Sequence, residues 1–186
     1  MMQPPGSIFE LCHVVDDIDK AIAHWINSMG AGPFFVGEMT FQNGHRYRGK
    51  PAVLSMRVAF AFSGGLLIEL IEPLEGDESV FTEVLKTRGP GYHHVMLRED
   101  YDTGYARLSA QGFAVALEST TPLGERCALF DTQTVNGGFI EVMDLHIAFG
   151  HLTEAMAAAH QTFDGTEPQR PLAALFATLK HEENLT

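Results

Sequence analysis

Glu10-Leu-Cys-His-Val-Val-Asp-Asp-Ile-Asp-Lys-Ala-Ile-Ala-His-Trp25, running on to Gly30, shares one plan with Tyr92-His-His-Val-Met-Leu-Arg-Glu-Asp-Tyr-Asp102, running on to Gly112. Each is a short apolar strand, an Asp-x-Asp cap and an amphipathic helix stopped by glycine. In the first helix Ile18, Ile22, Trp25, Ile26 and Met29 fall on one face, with Asp17 as N-cap. Tyr101, Tyr105 and Leu108 play the same part in the second.

The two halves also end alike. Leu67-Ile-Glu-Leu-Ile-Glu-Pro73 closes one and Gly138-Phe-Ile-Glu-Val-Met-Asp144 the other. Hairpin material precedes each: Ala52 to Phe62 with Ser63-Gly-Gly65, and Arg126 to Asp131 with Asn136-Gly-Gly138. Each half therefore reads β-α-β-β-β, and the fold class is α+β, two paired βαβββ modules plus C-terminal helices. The expected boundaries are a first module over 1–75, a linking helix within 76–90, a second module over 91–145 and a helical extension over 146–186. The linker shows Val80, Phe81, Val84 and Leu85 on one side and stops at Gly89. In the extension, Leu152, Met156, Ala159 and Phe163 mark one helix, and Leu172, Leu175, Phe176 and Leu179 a second that starts at Pro171.

Composition narrows the function. Among 186 residues, 24 acidic side chains against 12 basic ones leave a net charge of −12, which argues against a nucleic-acid or anionic-membrane partner. A hydrophobic content of 45% with 19% charged residues is globular. The two cysteines, Cys12 and Cys127, lack CxxC spacing and read as buried small hydrophobes in a reducing compartment. The start carries no secretory pattern, so the expected location is the cytoplasm.

A glutamate inside an apolar strand needs a reason, because an unpaired buried carboxylate is costly. Glu69 and Glu141 both sit in such strands, at equivalent positions of the repeat. Strand alternation puts Leu11, His13 and Val15 on the face that packs against the following helix, and Glu10, Cys12 and Val14 on the open face. In the second module, Val95 and Leu97 take the helix-facing role and His94 and Met96 the open one. Superposing the halves converges Glu10, Glu69, His94 and Glu141, a set of carboxylates and one imidazole suited to a divalent metal.

Four stretches resemble the vicinal oxygen chelate superfamily: Val14-Val-Asp-Asp-Ile-Asp-Lys-Ala21, Ile68-Glu-Leu-Ile-Glu-Pro73, Gly89-Pro-Gly-Tyr-His-His-Val95 and Gly137-Gly-Phe-Ile-Glu-Val142. That group includes glyoxalase I, methylmalonyl-CoA epimerase, extradiol dioxygenases and bleomycin-resistance proteins, and the central run Ile68 to Val95 looks most like methylmalonyl-CoA epimerase. The resemblance implies a cupped mixed sheet around one divalent metal (Mn, Co, Ni, Zn or Fe), with Glu10, Glu69, His94 and Glu141 at the ligand positions. The departure is Glu10, where the enzymes usually have histidine. His13 is expected to be a buried or aromatic-stacked core histidine rather than a ligand, a role it would take only if the strand register slipped by one, and His93 is the alternative to His94. The resemblance also implies a homodimer.

The chemistry expected is a metal-dependent lyase or isomerase of epimerase type, working through the enolate of a small 2-oxo acid, acyl thioester or hydroxy-carbonyl compound. Glu141 is the preferred base, with Glu69 and Glu38 behind it. His45, Tyr47 and Arg48, in the polar stretch Gln42-Asn-Gly-His-Arg-Tyr-Arg-Gly49, are candidates to hold a substrate carboxylate or phosphate, as are Arg57 and Arg126. Two other readings compete: an extradiol dioxygenase, which wants two histidines and one carboxylate, and a metal-free binding protein of antibiotic-resistance type. His24, His146, His151, His160 and His181 have no ligand spacing and are expected at the surface.

Overall fold

Alternation along strand β1 (Ile8–Val14) sets the layers. Cys12 and Val14 join the core inside the sheet, whereas Leu11 and Val15 pack outside against helix α1 (Ile18–Met29). That helix begins where the Asp17 carboxylate accepts a hydrogen bond from the Lys20 N–H at 3.0 Å, and it ends at Gly30, whose φ of 66° suits glycine. Ile18, Ile22 and Trp25 are buried against Ile68 and Leu70, while Met29 at the helix end is exposed.

The computed structural model describes residues 4–42, 44–121, 124–144 and 147–176. After α1 come β2 (Phe34–Phe41), β3 (Arg46–Tyr47), β4 (Lys50–Pro51), β5 (Leu54–Ser63), β6 (Leu66–Pro73) and α2 (Val80–Arg88). The second half supplies β7 (Gly91–Leu97), α3 (Tyr101–Ala110), β8 (Val115–Thr120), β9 (Arg126–Asp131), α4 (Gln133–Asn136) and β10 (Phe139–Met143), followed by α5 (Ile147–Gln161) and β11 (Gln169–Pro171). The described strands form one mixed sheet of eleven, in the order β11-β2-β5-β6-β1-β7-β10-β9-β8-β3-β4. Among the described residues no helix is long and apolar enough to cross a membrane.

The registers reproduce the repeat. β1 and β7 pair antiparallel at the centre, with β6 parallel to β1 and β10 parallel to β7. Cys12 lies opposite Glu69 in the first parallel pair, and Met96 opposite Glu141 in the second. Counting two residues back along β1 and β7 makes Glu10 the counterpart of His94.

Arg57 and Arg126 occupy equivalent outward positions on β5 and β9, and neither is free to meet a substrate. Arg57 binds Asp19 at 3.2 Å and Glu72 at 3.1 Å; Arg126 binds Asp102 at 2.9 Å and Asp144 at 2.7 Å. Each guanidinium thus joins its strand to the first turn of the module's helix and to the end of the closing strand. The expectation that they bind substrate is corrected by this position on the helix side of the sheet.

Two further expectations change. The Gln42–Gly49 stretch is not simply a polar loop of the first module. β3 crosses to the second module and pairs with β8, Arg46 opposite Glu118 and Tyr47 opposite Leu117. Pro171 does not start a helix either. Residues 169–171 add a strand parallel to the free edge of β2, where a missing N–H is tolerated, and helix follows only at 173–176. Leu179, His146 and His181 lie outside the described residues.

The extension covers the inside of the cup. Leu152 and Met156 of α5, with Leu172 and Leu175, belong to the same core as Phe35, Met56 and Leu129. At the far end of α5, His160 is a latch rather than a free surface residue. Its Nδ1–H donates to Gly32 O at 2.7 Å, and its Nε2 accepts from the Gly64 N–H at 3.1 Å. Phe163 packs over Gly32, where an added Cβ would lie 2.6 Å from the ring.

The substitution His160→Ala removes both bonds, each worth about 0.5–1.5 kcal/mol. Amide exchange should accelerate in α5 while β1, β6 and β7 stay protected; unchanged exchange in α5 would contradict the latch.

Candidate metal centre

Glu10 on β1, Glu69 on β6, His94 on β7 and Glu141 on β10 meet on the inner face of the sheet. His94 Nε2 lies 3.0 Å from Glu141 Oε2, 3.5 Å from Glu10 Oε1 and 3.5 Å from Glu69 Oε2. All are buried, none more than 8% exposed, so bulk water does not screen the carboxylates from one another.

A β-bulge aims the imidazoles. Cys12 pairs with His94, but His13 pairs with Tyr92, leaving His93 as the extra residue of β7. His93 is buried between the rings of Phe81 and Phe139, stacked at centroid distances of 4.5 and 4.9 Å. Its Nδ1 sits 2.8 Å from His94 Nδ1, so the two nitrogens share one proton and His94 presents Nε2 to the carboxylates. Gly138 makes room for the bulge: a Cβ there would stand 2.4 Å from the His93 carbonyl oxygen. His13 is on the other face, edge-on to Trp25 at 5.3 Å, as expected of a core histidine.

Burial shifts the charges of the cluster. It raises the Glu10 pKa, which the charge on Glu141 raises further, although His94 offsets part of this. Burial and the charge on Glu10 push Glu69 well above the usual carboxylate range. Burial opposes charge on His94, yet Cys12, Glu10 and Glu141 outweigh it and hold the imidazole well above its ordinary value. The Cys127 thiol, kept protonated by burial and by Glu141, donates to Glu141 Oε1 at 3.0 Å.

The residues fit a divalent cation. His94 Nε2 is fully buried and, though close to three carboxylate oxygens, has no aligned hydrogen-bond partner, as a ligand nitrogen aimed at a point between them would. One imidazole with carboxylate oxygens is a donor set taken by Mn, Co, Ni, Zn and Fe. Cys12, His93 and His94 form a second grouping of donor atoms within 4.8 Å. There the His94 Nδ1 faces His93, so it does not compete for Nε2.

The cluster opens into a cavity of about 140 Å³. Its wall is mostly apolar, including Met39, Leu54, Met56, Phe81, Leu117 and Leu129, and α5 covers it with Leu152 and Met156. Among the described residues no lysine or arginine lines it.

The other candidates scatter. His45 lines the cavity, but Tyr47 and Arg48 do not. Tyr47 OH donates to Glu83 at 2.8 Å, and Arg48 binds Glu83 at 2.8 Å and Asp131 at 2.9 Å. These bonds tie the β3–β4 hairpin to α2 and β9, so the structure does not bring Tyr47 and Arg48 to the cavity with His45. Glu38 is exposed on β2, outside the cavity. His24 and His151 are exposed on their helices. Ser119, Thr121 and Glu125 line the cavity without having been singled out in the sequence, and Cys127, read there only as a buried small hydrophobe, lines it too. Strand alternation between Cys127 and Leu129, one of them beside Glu141, is the signal that would have found Cys127.

The family model described as Glyoxalase/Bleomycin resistance protein/Dioxygenase superfamily matches residues 10–128. The chain belongs to that superfamily. Among solved structures it is similar to methylmalonyl-CoA epimerase from Mycobacterium tuberculosis, at 21% identity and a TM-score of 0.56, covering 81% of this chain and 96% of that one. It is also similar to a hypothetical protein from Bacillus halodurans, at 17% identity and a TM-score of 0.53, covering 76% and 95%. These likenesses show the fold of the superfamily. No curated protein matches the chain.

Glu69→Gln separates the electrostatics of the cluster from its capacity for metal. In metal-free protein the substitution should hold or raise stability at neutral pH, because it replaces a carboxyl that burial and Glu10 already push toward its neutral form. Added Mn or Zn should then raise the melting temperature of the wild type and much less that of the variant. A destabilised metal-free variant would show that Glu69 is satisfied as it stands.

Proposed function

We propose that this protein is a metal-dependent enzyme of epimerase or lyase type that removes the proton alpha to the carbonyl of a small 2-oxo acid, acyl thioester or hydroxy-carbonyl compound. The observation that carries this reading is the meeting of Glu10, Glu69, His94 and Glu141 at the floor of an apolar cavity. The superfamily and the epimerase among the structural neighbours support it.

In this reading Glu10, Glu69, His94 and Glu141 hold the cation. A divalent ion held there would supply Lewis-acid stabilisation to the charge that develops on the substrate oxygen. Glu141 is the base: with Oε2 turned toward His94, Oε1 takes the proton. The Cys127 S–H donates to that same oxygen and fixes the rotation of the carboxylate. Glu69, its counterpart in the other module, is the proposed group to return a proton from the opposite side, as inversion at carbon requires. A lyase would use Glu141 alone. The apolar wall and the α5 cover exclude water, which strengthens each charge interaction inside.

Ring cleavage of the extradiol kind fits less well, because among the described residues His94 is the one imidazole that faces the carboxylates and His13 lies across the sheet. A binding-only role is the second reading, favoured by the covered, mostly apolar cavity. The protein is further proposed to act as a cytoplasmic homodimer on a small molecule, an assembly that sedimentation would establish.

Incubation of metal-loaded protein in D₂O with a panel of 2-oxo acids and acyl thioesters tests the enzyme reading. Deuterium should enter the alpha carbon, and Glu141→Gln should slow its entry by about 10²–10⁴-fold. Tight binding with no exchange at all would favour the binding-only role. His94→Ala should abolish both the metal content and the exchange.

A further inference from the structure

The cavity has a second polar end, on strands that lead away from Glu141. From β10 the sheet continues through β9 and β8 to β3, each step about 4.8 Å. His45, which immediately precedes β3, and Glu125, which immediately precedes β9, both line the cavity and are 2% and 1% exposed. His45 Nδ1 is 3.3 Å from Ser119 Oγ. Glu125 Oε2 accepts from the Thr121 hydroxyl, and the Glu125 N–H donates to the same hydroxyl at 3.2 Å. Half of each side chain is thus held in place, while His45 Nε2 and Glu125 Oε1 are buried without a hydrogen-bond partner. Cys127, two residues on from Glu125 and bonded to Glu141 at 3.0 Å, links this end to the cluster, and the apolar Leu117, Leu129 and Met143 also line the cavity.

The chemistry of the two atoms restricts what they bind. Burial lowers the His45 pKa, so its ring is neutral near pH 7 and carries one donor and one acceptor nitrogen. A carboxylate oxygen only accepts, so the ligand group must donate to Glu125. A phosphate or carboxylate would face Glu125 with no lysine or arginine among the described lining residues to balance it. A hydroxyl meets both demands. It donates to Glu125 Oε1 and accepts from His45 Nε2–H, the tautomer in which His45 Nδ1 accepts from the Ser119 hydroxyl.

We propose that His45 and Glu125 form a hydroxyl-binding subsite, and that the ligand is a compact apolar molecule bearing a hydroxyl at the end remote from the four-residue cluster. A cavity of about 140 Å³ is close in size to an engineered one of about 150 Å³ that holds benzene, which suits a single ring or a short branched chain. That the other end of the ligand carries a carbonyl rests on the proposed function; the hydroxyl subsite does not.

Calorimetric titration of the full chain with p-cresol, toluene and 4-methylbenzylamine tests the assignment. Wild type should bind p-cresol about tenfold or more tighter than toluene, the gain expected of one or two buried hydrogen bonds. His45→Phe and Glu125→Gln should each shrink that preference and leave toluene binding in place; the isosteric glutamine variant serves if the phenylalanine variant does not fold. Equal binding of p-cresol and toluene would mean that water serves the two atoms, and would overturn the subsite. So would binding of none of the probes, a stronger preference for the amine, or a preference that survives in both variants. In His94→Ala the p-cresol preference should persist while alpha-proton exchange is lost, which separates failure of the subsite from failure of the proposed reaction.

Discussion

Three carboxylates crowd one imidazole inside the cup, and this concentration of buried charge constrains the rest of the architecture. Such a cluster is costly to bury, and folding accommodates it because four strands from two modules hold it in place. His94 supplies a nearby nitrogen but no aligned hydrogen bond to the carboxylates. The strain is local in charge and global in support: the bulge in β7, the stacked rings around His93 and the bare Cα of Gly138 all serve to aim a single Nε2.

The pseudo-twofold relation of the modules explains both what is inside and what is outside. Inside, it brings Glu69 and Glu141 to matching depths and makes Glu10 the counterpart of His94. Outside, it repeats an arginine clamp, Arg57 with Asp19 and Glu72 in one module and Arg126 with Asp102 and Asp144 in the other. The acidity of the chain is therefore spent in two ways. Some carboxylates neutralise the arginines that fasten helices to the sheet, and a smaller set is turned inward without such partners.

The inward convergence was legible because it depends on short-range rules. Strand alternation placed Glu10 and Cys12 opposite Leu11 and Val15, and the repeated strand endings paired Glu69 with Glu141. What escaped the sequence depends on contacts distant along the chain. Arg48 looks like an anion receptor until Glu83 and Asp131, 35 and 83 residues away, are seen to occupy it. Pro171 looks like a helix start until the free edge of β2 is available for it to join. His93 and His94 cannot be ranked by period-two counting, because the bulge breaks the period between them. Glu125 and Ser119 carry no local mark of function; their importance comes from a cavity whose far wall is α5.

The short strand β3 belongs to the first half in sequence and to the second half in hydrogen bonding. The two modules are consequently stitched at two places, the central β1–β7 ladder and this outlying β3–β8 pair. Exchanging modules between two copies of the chain, a common route to dimers when repeats are joined by a single linker, would require both stitches to be undone together. The crossing strand thus couples the two halves of one chain at a second place besides the central ladder.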